Sequence, residues 1–106
     1  MRRFASLRRQ ADFARLRQRG RRTATPNFTI YRGEGAAQGE RPLVGITVST
    51  TVGKAVIRNK VKRRIAACVH ELIPSDPKLR LLVVARPSTA AASYRDLHDE
   101  LARVLA

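Results

Sequence analysis

The chain has 106 residues, with 22 lysines and arginines against 8 aspartates and glutamates, for a formal net charge of +14. That length suits one domain with a single modest core, and a hydrophobic content of 43% is enough to fold it. A small domain is ordinarily well served by a net charge of about 2–8. The excess here costs stability through self-repulsion and points to a polyanionic partner. Because arginine supplies most of it, that partner is expected to be nucleic acid.

Membrane partners fit poorly. No apolar run approaches the ~20 residues of a spanning helix. No basic segment carries the Trp- and Phe-rich face of an interfacial anchor. The arginine-rich N-terminus lacks a signal-peptide hydrophobic region, and it is expected to run into a structured helix rather than act as a transit peptide. The single cysteine, Cys68, allows no internal disulfide, so a reducing cytoplasm is expected.

In chain order, Arg2, Arg3, Arg8 and Arg9 surround Phe4 and Leu7. Residues 1–9 are therefore expected to form a partly flexible basic arm with the two apolar side chains docked. Gln10–Arg19 reads as a short helix with Phe13 and Leu16 inward and Gly20 as its C-terminal cap. Up to Arg32 there are ten arginines and one acid, Asp12. Arg21–Thr25 is a candidate short strand, stopped by Pro26. Asn27–Arg32 alternates, with Phe28 and Ile30 on one face and Asn27, Thr29 and Tyr31 on the other. Gly33–Arg41 reads as an exposed loop between antiparallel strands. Leu43–Thr50 alternates again, with Val44, Ile46 and Val48 inward and Gly45, Thr47 and Ser49 outward. The two outward faces together make a surface of small polar groups around Tyr31. Such a surface suits an extended single strand, because small residues admit a backbone and a ring can stack on a base. A merely solvated face of an antiparallel sheet has the same pattern.

Gly53–Leu72 is the most distinctive stretch. Lys54, Arg58, Lys60, Lys62, Arg63 and Arg64 place six cations in eleven residues with no acid among them. Ile57, Val61, Ile65, Cys68 and Leu72 form one apolar stripe on a helix. Arg58 and Lys62 flank one edge of it, Lys60 and Arg64 the other, and Asn59 and Arg63 point away. The repulsive i, i+4 pairs Arg58–Lys62 and Lys60–Arg64 each destabilise the helix by a few tenths of a kcal/mol. A helix built against its own stability again implies a polyanion.

Leu79–Ala85 is apolar throughout its centre and reads as a central strand covered on both faces, ended by Pro87. Ser93-Tyr94-Arg95-Asp96 has the form of a capping box with Asp for Glu. Tyr94, Leu97, Leu101 and Val104 continue that helix to Leu105. Asp96, Asp99 and Glu100 lie there, so this helix is expected to face away from the polyanion. The pattern as a whole predicts an α+β sandwich of one sheet against helices.

Catalytic chemistry is not visible. His70 and His98 fall on different helices, and Cys68 and His70, two residues apart, point to different faces. There is no CxxC, no HExxH and no glycine-rich phosphate loop; Gly53-Lys54 lacks the upstream glycine. The acids are dispersed, with no metal cluster. The expected activity of the chain itself is binding.

GKAVIRNKVKRRI, from Gly53, resembles the signature of the bacterial ribonuclease P protein family, an Arg-Asn-Arg core after a Gly-x-Ala-Val lead. Arg58-Asn59-Lys60 fills the core here. Leu7-Arg8 and Asp12-Phe13 resemble the family's first helix region, Phe28-Thr29-Ile30-Tyr31 its aromatic strand, and Val44–Ser49 the strand before the basic helix. Leu82–Pro87 with Tyr94 resembles its last strand and the start of its last helix. The resemblance covers nearly the whole chain.

It implies a single RNA-binding domain over residues 1–106, a sandwich like that of a ribosomal protein domain. Its four-stranded sheet would follow the order αβββαβα, with a left-handed βαβ crossover through the basic helix, against the usual handedness. It also implies the protein component of an endoribonuclease whose catalysis resides in its RNA subunit. That RNA, with magnesium bound mainly by the RNA, removes the 5′ leader of precursor tRNA to give the mature 5′ end. The partners would be ribonuclease P RNA and precursor tRNA, with no membrane and no further protein. Lys54, Arg58, Asn59, Lys60, Lys62 and Arg63 would contact the catalytic RNA. Phe13, Arg17, Tyr31, Thr47 and Ser49 would hold the leader.

Two positions depart from the family. Lys60 keeps the charge of the third core residue but loses its bidentate geometry. Arg17 stands where a second aromatic is frequent, and a guanidinium can still stack on a base. The alternatives are a structural, ribosomal-type RNA-binding protein, and a DNA-binding module with its basic helix in the major groove, which lacks a helix-turn-helix partner. For any of these the affinity for nucleic acid should fall steeply and log-linearly with salt, as counterion release requires. Binding titrations between about 50 and 200 mM salt test this, and a flat dependence would contradict the charge argument.

Overall fold

The computed structural model describes residues 2–105; Met1, the first residue of the expected arm, and Ala106, the last of the expected domain, lie outside them. The elements are β1 (Ala5–Ser6), α1 (Gln10–Arg19), β2 (Arg21–Ala24), β3 (Phe28–Glu34) and β4 (Leu43–Thr47), then α2 (Ala55–Leu72), β5 (Leu79–Ala85) and α3 (Tyr94–Leu105). Single 3-10 turns at Thr50–Val52 and Pro87–Ala90 precede α2 and α3. The strands form one sheet in the order β1-β4-β5-β3-β2. β4 and β5 run parallel, joined through α2, while β3 is antiparallel to both β5 and β2.

Two expectations are corrected. The sheet has five strands, not four, because Ala5–Ser6 pairs in parallel with Leu43–Val44. A two-residue strand has no periodicity to detect, and it forms because its flanks dock. Phe4 and Leu7, three apart in extended chain, enter opposite faces of the sheet. Arg3, Phe4 and Leu7 are therefore anchored to the rest of the fold. The Arg3 guanidinium donates to the carbonyls of His70, Glu71 and Ile73 at 3.0–3.3 Å, where α2 runs out of its own donors. In addition, β3 and β4 are not neighbours. β5 inserts between them, because the strand with no polar face is best buried at the centre, with helices on both sides.

One face of the sheet is covered by α2 and α3. Phe28, Ile30, Val44, Leu81 and Val83 pack there against Val61, Ile65, Cys68, Val69, Leu97 and Leu101. α1 crosses the other face, where Leu16 packs with Leu7, Leu43 and Leu82, and Phe13 and Tyr31 are half-buried at the margin. Gly45 makes this seat possible. A Cβ there would lie 2.8 Å from Cε1 of Phe13, so only glycine lets the ring lie on β4.

Helix α2 begins two residues later than the basic stretch, after Gly53, whose φ of +154° favours glycine. Its apolar stripe keeps Val61, Ile65, Cys68 and Leu72 of the expected one, loses Ile57 and widens to Ala66 and Val69. Val61, Ile65, Ala66, Cys68 and Val69 are buried, but Ile57 is 39% exposed and Val56 80%. The first turn projects beyond the sheet, so its apolar residues have nothing to cover them. Helix α3 starts as expected, with the Asp96 N–H donating to Ser93 Oγ at 3.1 Å. Its Glu100, 7% exposed, was missed as a core residue. It accepts from the Asn27 backbone N–H at 2.9 Å and from Asn27 Nδ2, closing the β2–β3 turn onto α3.

Gly45→Ala should displace the Phe13 ring and destabilise the fold by about 1–3 kcal/mol, the usual range for overpacking. Denaturant unfolding and the Phe13 ring resonances check both. Burial pushes the Glu100 carboxyl up, but hydrogen bonds from Asn27, with help from Thr25 and Arg103, outweigh it and hold the group below its ordinary value. The folded value is the depressed one. Its stabilisation is therefore complete above the ordinary carboxylate pKa and is lost as pH falls through the folded value. Glu100→Gln should cost about 1–3 kcal/mol at neutral pH. Melting curves of the two proteins should converge in acid.

Candidate nucleic-acid interface

The charge that the composition advertises is unspent in the folded chain. Among the described residues the one ion pair joins His98 and Glu71, at 2.9 Å, and involves no lysine or arginine. The basic side chains of α2 thus make no ion pair with an acid, and two of them bond backbone carbonyls. Arg58 Nε donates to the Gly53 carbonyl at 3.1 Å, which fixes that guanidinium beside the helix start. Arg64 reaches the Ala92 carbonyl at 3.4 Å, on the α3 side. Lys54, Asn59, Lys60, Lys62 and Arg63 are exposed.

A groove of about 420 Å³ runs along the β1–β4 edge between the two helix layers. Asn59, Lys62 and Arg63 line it from α2, Phe13 from α1, and Arg2 and Ser6 from the start of the chain. Two sets of residues that the sequence suggested separately therefore meet across one strand edge. Lys54, Arg58 and Lys60 do not line this groove. Arg63 was expected to point directly away from the packed stripe; it lies at the groove wall because the buried stripe of α2 widens to Ala66 and Val69.

On the face that α1 crosses, the register aligns Tyr31, Leu82 and Gly45 in one row and Thr29, Val84 and Thr47 in the next. Thr29, Tyr31 and Thr47 are half-buried, and Arg86 Nη2 leans over this end of the sheet to Thr29 Oγ1 at 3.4 Å. Arg17 is exposed one turn beyond Phe13 and lines a shallow depression with it, Gln10 and Ala14. Phe13 and Tyr31 thus pack in one cluster beside α1, with Arg17 next to Phe13 and Thr47 in the neighbouring row of the sheet. Ser49 is not on that sheet face. β4 ends at Thr47, and Ser49 turns into the following 3-10 turn, its hydroxyl 2.6 Å from Thr51 Oγ1.

Arg2 was read from the sequence only as part of the basic arm, and Ser6 and Arg86 were not singled out. The first two became visible only with β1; a Phe4–Leu7 spacing that sends two apolar residues to opposite faces was the available signal. Arg2 also lies over the Phe4 ring at 5.7 Å.

The groups that could do covalent chemistry are disposed against it. Cys68 is buried, and burial pushes its thiol up, while His70 Nδ1 accepts the Arg3 backbone N–H at 3.0 Å. The described residues contain no cluster of three His, Cys, Asp or Glu side chains able to hold a metal. None of their helices is long and apolar enough to cross a membrane. The acids of α3 are set away from the groove. α2 packs toward β4, whereas Glu100 anchors α3 to Asn27 at the β3 side. What the arrangement can do is grip extended, negatively charged chains on two adjoining surfaces.

The family model described as "Ribonuclease P" matches residues 1–106. The "Ribonuclease P protein component" of Acidothermus cellulolyticus is 36% identical over 100 residues, covering 93% of this chain and 83% of the relative. That of Rhodococcus opacus is 37% identical over 101 residues, covering 90% and 81%. Among solved structures, the RNase P protein of Staphylococcus aureus superposes with a TM-score of 0.79 at 28% identity, covering 94% of this chain and 91% of that one. The RNase P protein of Thermotoga maritima shares the fold, with a TM-score of 0.79 at 21% identity and 94% of each chain covered. With its sandwich fold, its unpaired basic helix and these relatives, the chain belongs to the ribonuclease P protein family.

Proposed function

We propose that this chain is the RNA-binding protein component of a ribonuclease P, acting in the cytoplasm on the 5′ leader of precursor tRNA together with a catalytic RNA and no second protein. The observation that carries this is the groove in which Phe13 of α1 faces Asn59, Lys62 and Arg63 of α2 across the β4 edge. One RNA held by α2 and another held by the α1 cleft would meet there.

The first physical task is bringing two polyanions together. Lys54, Arg58, Lys60, Lys62 and Arg63, none paired with an acid, replace the counterions of the catalytic RNA. Asn59 adds hydrogen bonds that a point charge does not, since its amide both donates and accepts. The second task is distinguishing precursor from mature tRNA. Tyr31 and Phe13 offer ring faces to unpaired bases, Arg17 a guanidinium plane, and Thr47 a hydroxyl to the backbone. The leader is single-stranded and absent from the product, so affinity gained here favours substrate binding and product release. Ser49, beyond the strand end, is placed for the rim of the cleft at most.

The chemistry of cleavage is assigned to the RNA. Magnesium supplies charge neutralisation and an activated water in phosphodiester hydrolysis. The described residues hold no cluster of three His, Cys, Asp or Glu side chains that fits it; in this reading the protein contributes binding and orientation.

The test is reconstitution. Added to a bacterial ribonuclease P RNA and precursor tRNA at low magnesium, the protein should stimulate cleavage at the mature 5′ end, and Asn59→Ala should reduce that stimulation. Absence of stimulation would leave a purely structural RNA-binding role. Tyr31→Ala should weaken precursor binding by about 1–3 kcal/mol, the worth of one stacked base, with mature tRNA binding unchanged. Arg17→Ala should act in the same direction, and an unchanged leader-dependent affinity would remove Arg17 from the cleft.

A further inference from the structure

Helix α1 divides the sheet face it crosses. The proposed leader cleft lies on one side, near Phe13 and Thr47. On the other, at the C-terminal end of the helix, lies a second pocket of about 350 Å³ that this cleft does not use. Its chemistry comes from Arg15 and Arg19 of α1, Arg80 of β5, Asp12 and Glu34, with Leu16 as an apolar wall.

Arg80 is the anomaly. It is 6% exposed, yet no carboxylate lies within ion-pair distance of it among the described residues. Its Nη1 donates to the carbonyls of Pro77 and Leu79, at 3.2 and 3.3 Å, and its Nη2 to that of Ala36. Nε makes no hydrogen bond. The guanidinium lies close against Gly35, where a Cβ would stand 3.2 Å from Nε, so a glycine is what lets it pack there. A desolvated guanidinium without a counter-ion is strongly unfavourable by itself. Arg15 and Arg19 are also unpaired although Asp12 and Glu34 line the same pocket. Three guanidiniums against two carboxylates favour an anionic group.

The carboxylates would repel a bare anion. They would accept hydrogen bonds from a base edge rich in N–H groups, as carboxylates do in nucleic-acid recognition. Guanine presents such an edge, with its ring N–H and amino group side by side, and Leu16 and the arginine planes suit the faces of its ring. We propose that this pocket is a nucleotide subsite, binding a guanine of single-stranded RNA with its phosphate at Arg15, Arg19 and the Nε side of Arg80. The inference rests on the reading of this chain as an RNA-binding subunit. Its test involves no cleavage, so the two can fail separately.

The full chain, labelled with ¹⁵N, is titrated with 5′-GMP, 5′-UMP and inorganic phosphate. The expected result is saturable shifts at the Gly33 and Gly35 amides and at Arg80 Nε with 5′-GMP, with at least tenfold weaker responses to 5′-UMP and phosphate. Arg15 and Arg19 are exposed. The double variant Arg15→Ala/Arg19→Ala should therefore keep the folded spectrum and lose the 5′-GMP response at least tenfold. Equal responses to phosphate and 5′-GMP, shifts confined to Phe13 and Tyr31, or undiminished binding by the double variant would each overturn the proposal.

Discussion

Strand β5 has no side that it can turn to water. Its alternate residues enter two different apolar clusters, with Leu81 and Val83 under α2 and α3 and Leu82 under α1. This two-sided burial sets the rest. It places β5 at the centre of the sheet, separates β3 from β4, and requires a helix layer on each face. At ~25 cal/mol per Å² of apolar surface removed from water, a strand apolar on both faces from Leu81 to Ala85 has the strongest claim to the centre. The proposed binding surfaces follow from the same constraint. α1 is too short to cover its whole face, and the cleft and the second pocket are the parts of the sheet that it leaves bare on either side.

The other constraint is electrostatic. Twenty-two lysines and arginines fold without one ion pair to an aspartate or glutamate among the described residues. The few acids are used elsewhere. Glu100 is given over to the Asn27 turn and Glu71 to His98. The fold thus tolerates repulsion along α2 that its own acids do nothing to relieve, and the proposed RNA partner would relieve it from outside. Placing α3 on the β3 side keeps its acids from interfering at the groove.

Much of the architecture was legible because it rests on local patterns. The bounds of α1, β5 and α3 follow from a 3.6-residue period or an unbroken apolar run, together with Gly20, Pro87 and Ser93 at their ends. The extent of β4 was overread, since alternation continued through Val48 and Ser49 after pairing had stopped at Thr47. The apolar stripe of α2 was begun a turn too early, at Ile57, because that residue has the composition of a core. Nothing in the sequence says that the sheet does not reach it. β1 was illegible, as two residues carry no period, and so was Glu100, which reads as one more surface acid on an amphipathic helix.

The sequence by itself determined that this is a basic α+β domain with an RNA-binding family's motif at Arg58-Asn59-Lys60, because charge, periodicity and motif are all properties of neighbouring residues. It also marked Phe13, Tyr31 and the α2 cations as separate candidates. Only the tertiary structure decided that Phe13 and Arg63 border the same groove, that β5 parts the two strands taken for neighbours, and that Arg80 is buried without a counter-ion. Those facts depend on which strand edges pair and how far each helix overhangs the sheet. Both are settled by the joint burial of residues far apart in the chain, which no local pattern encodes.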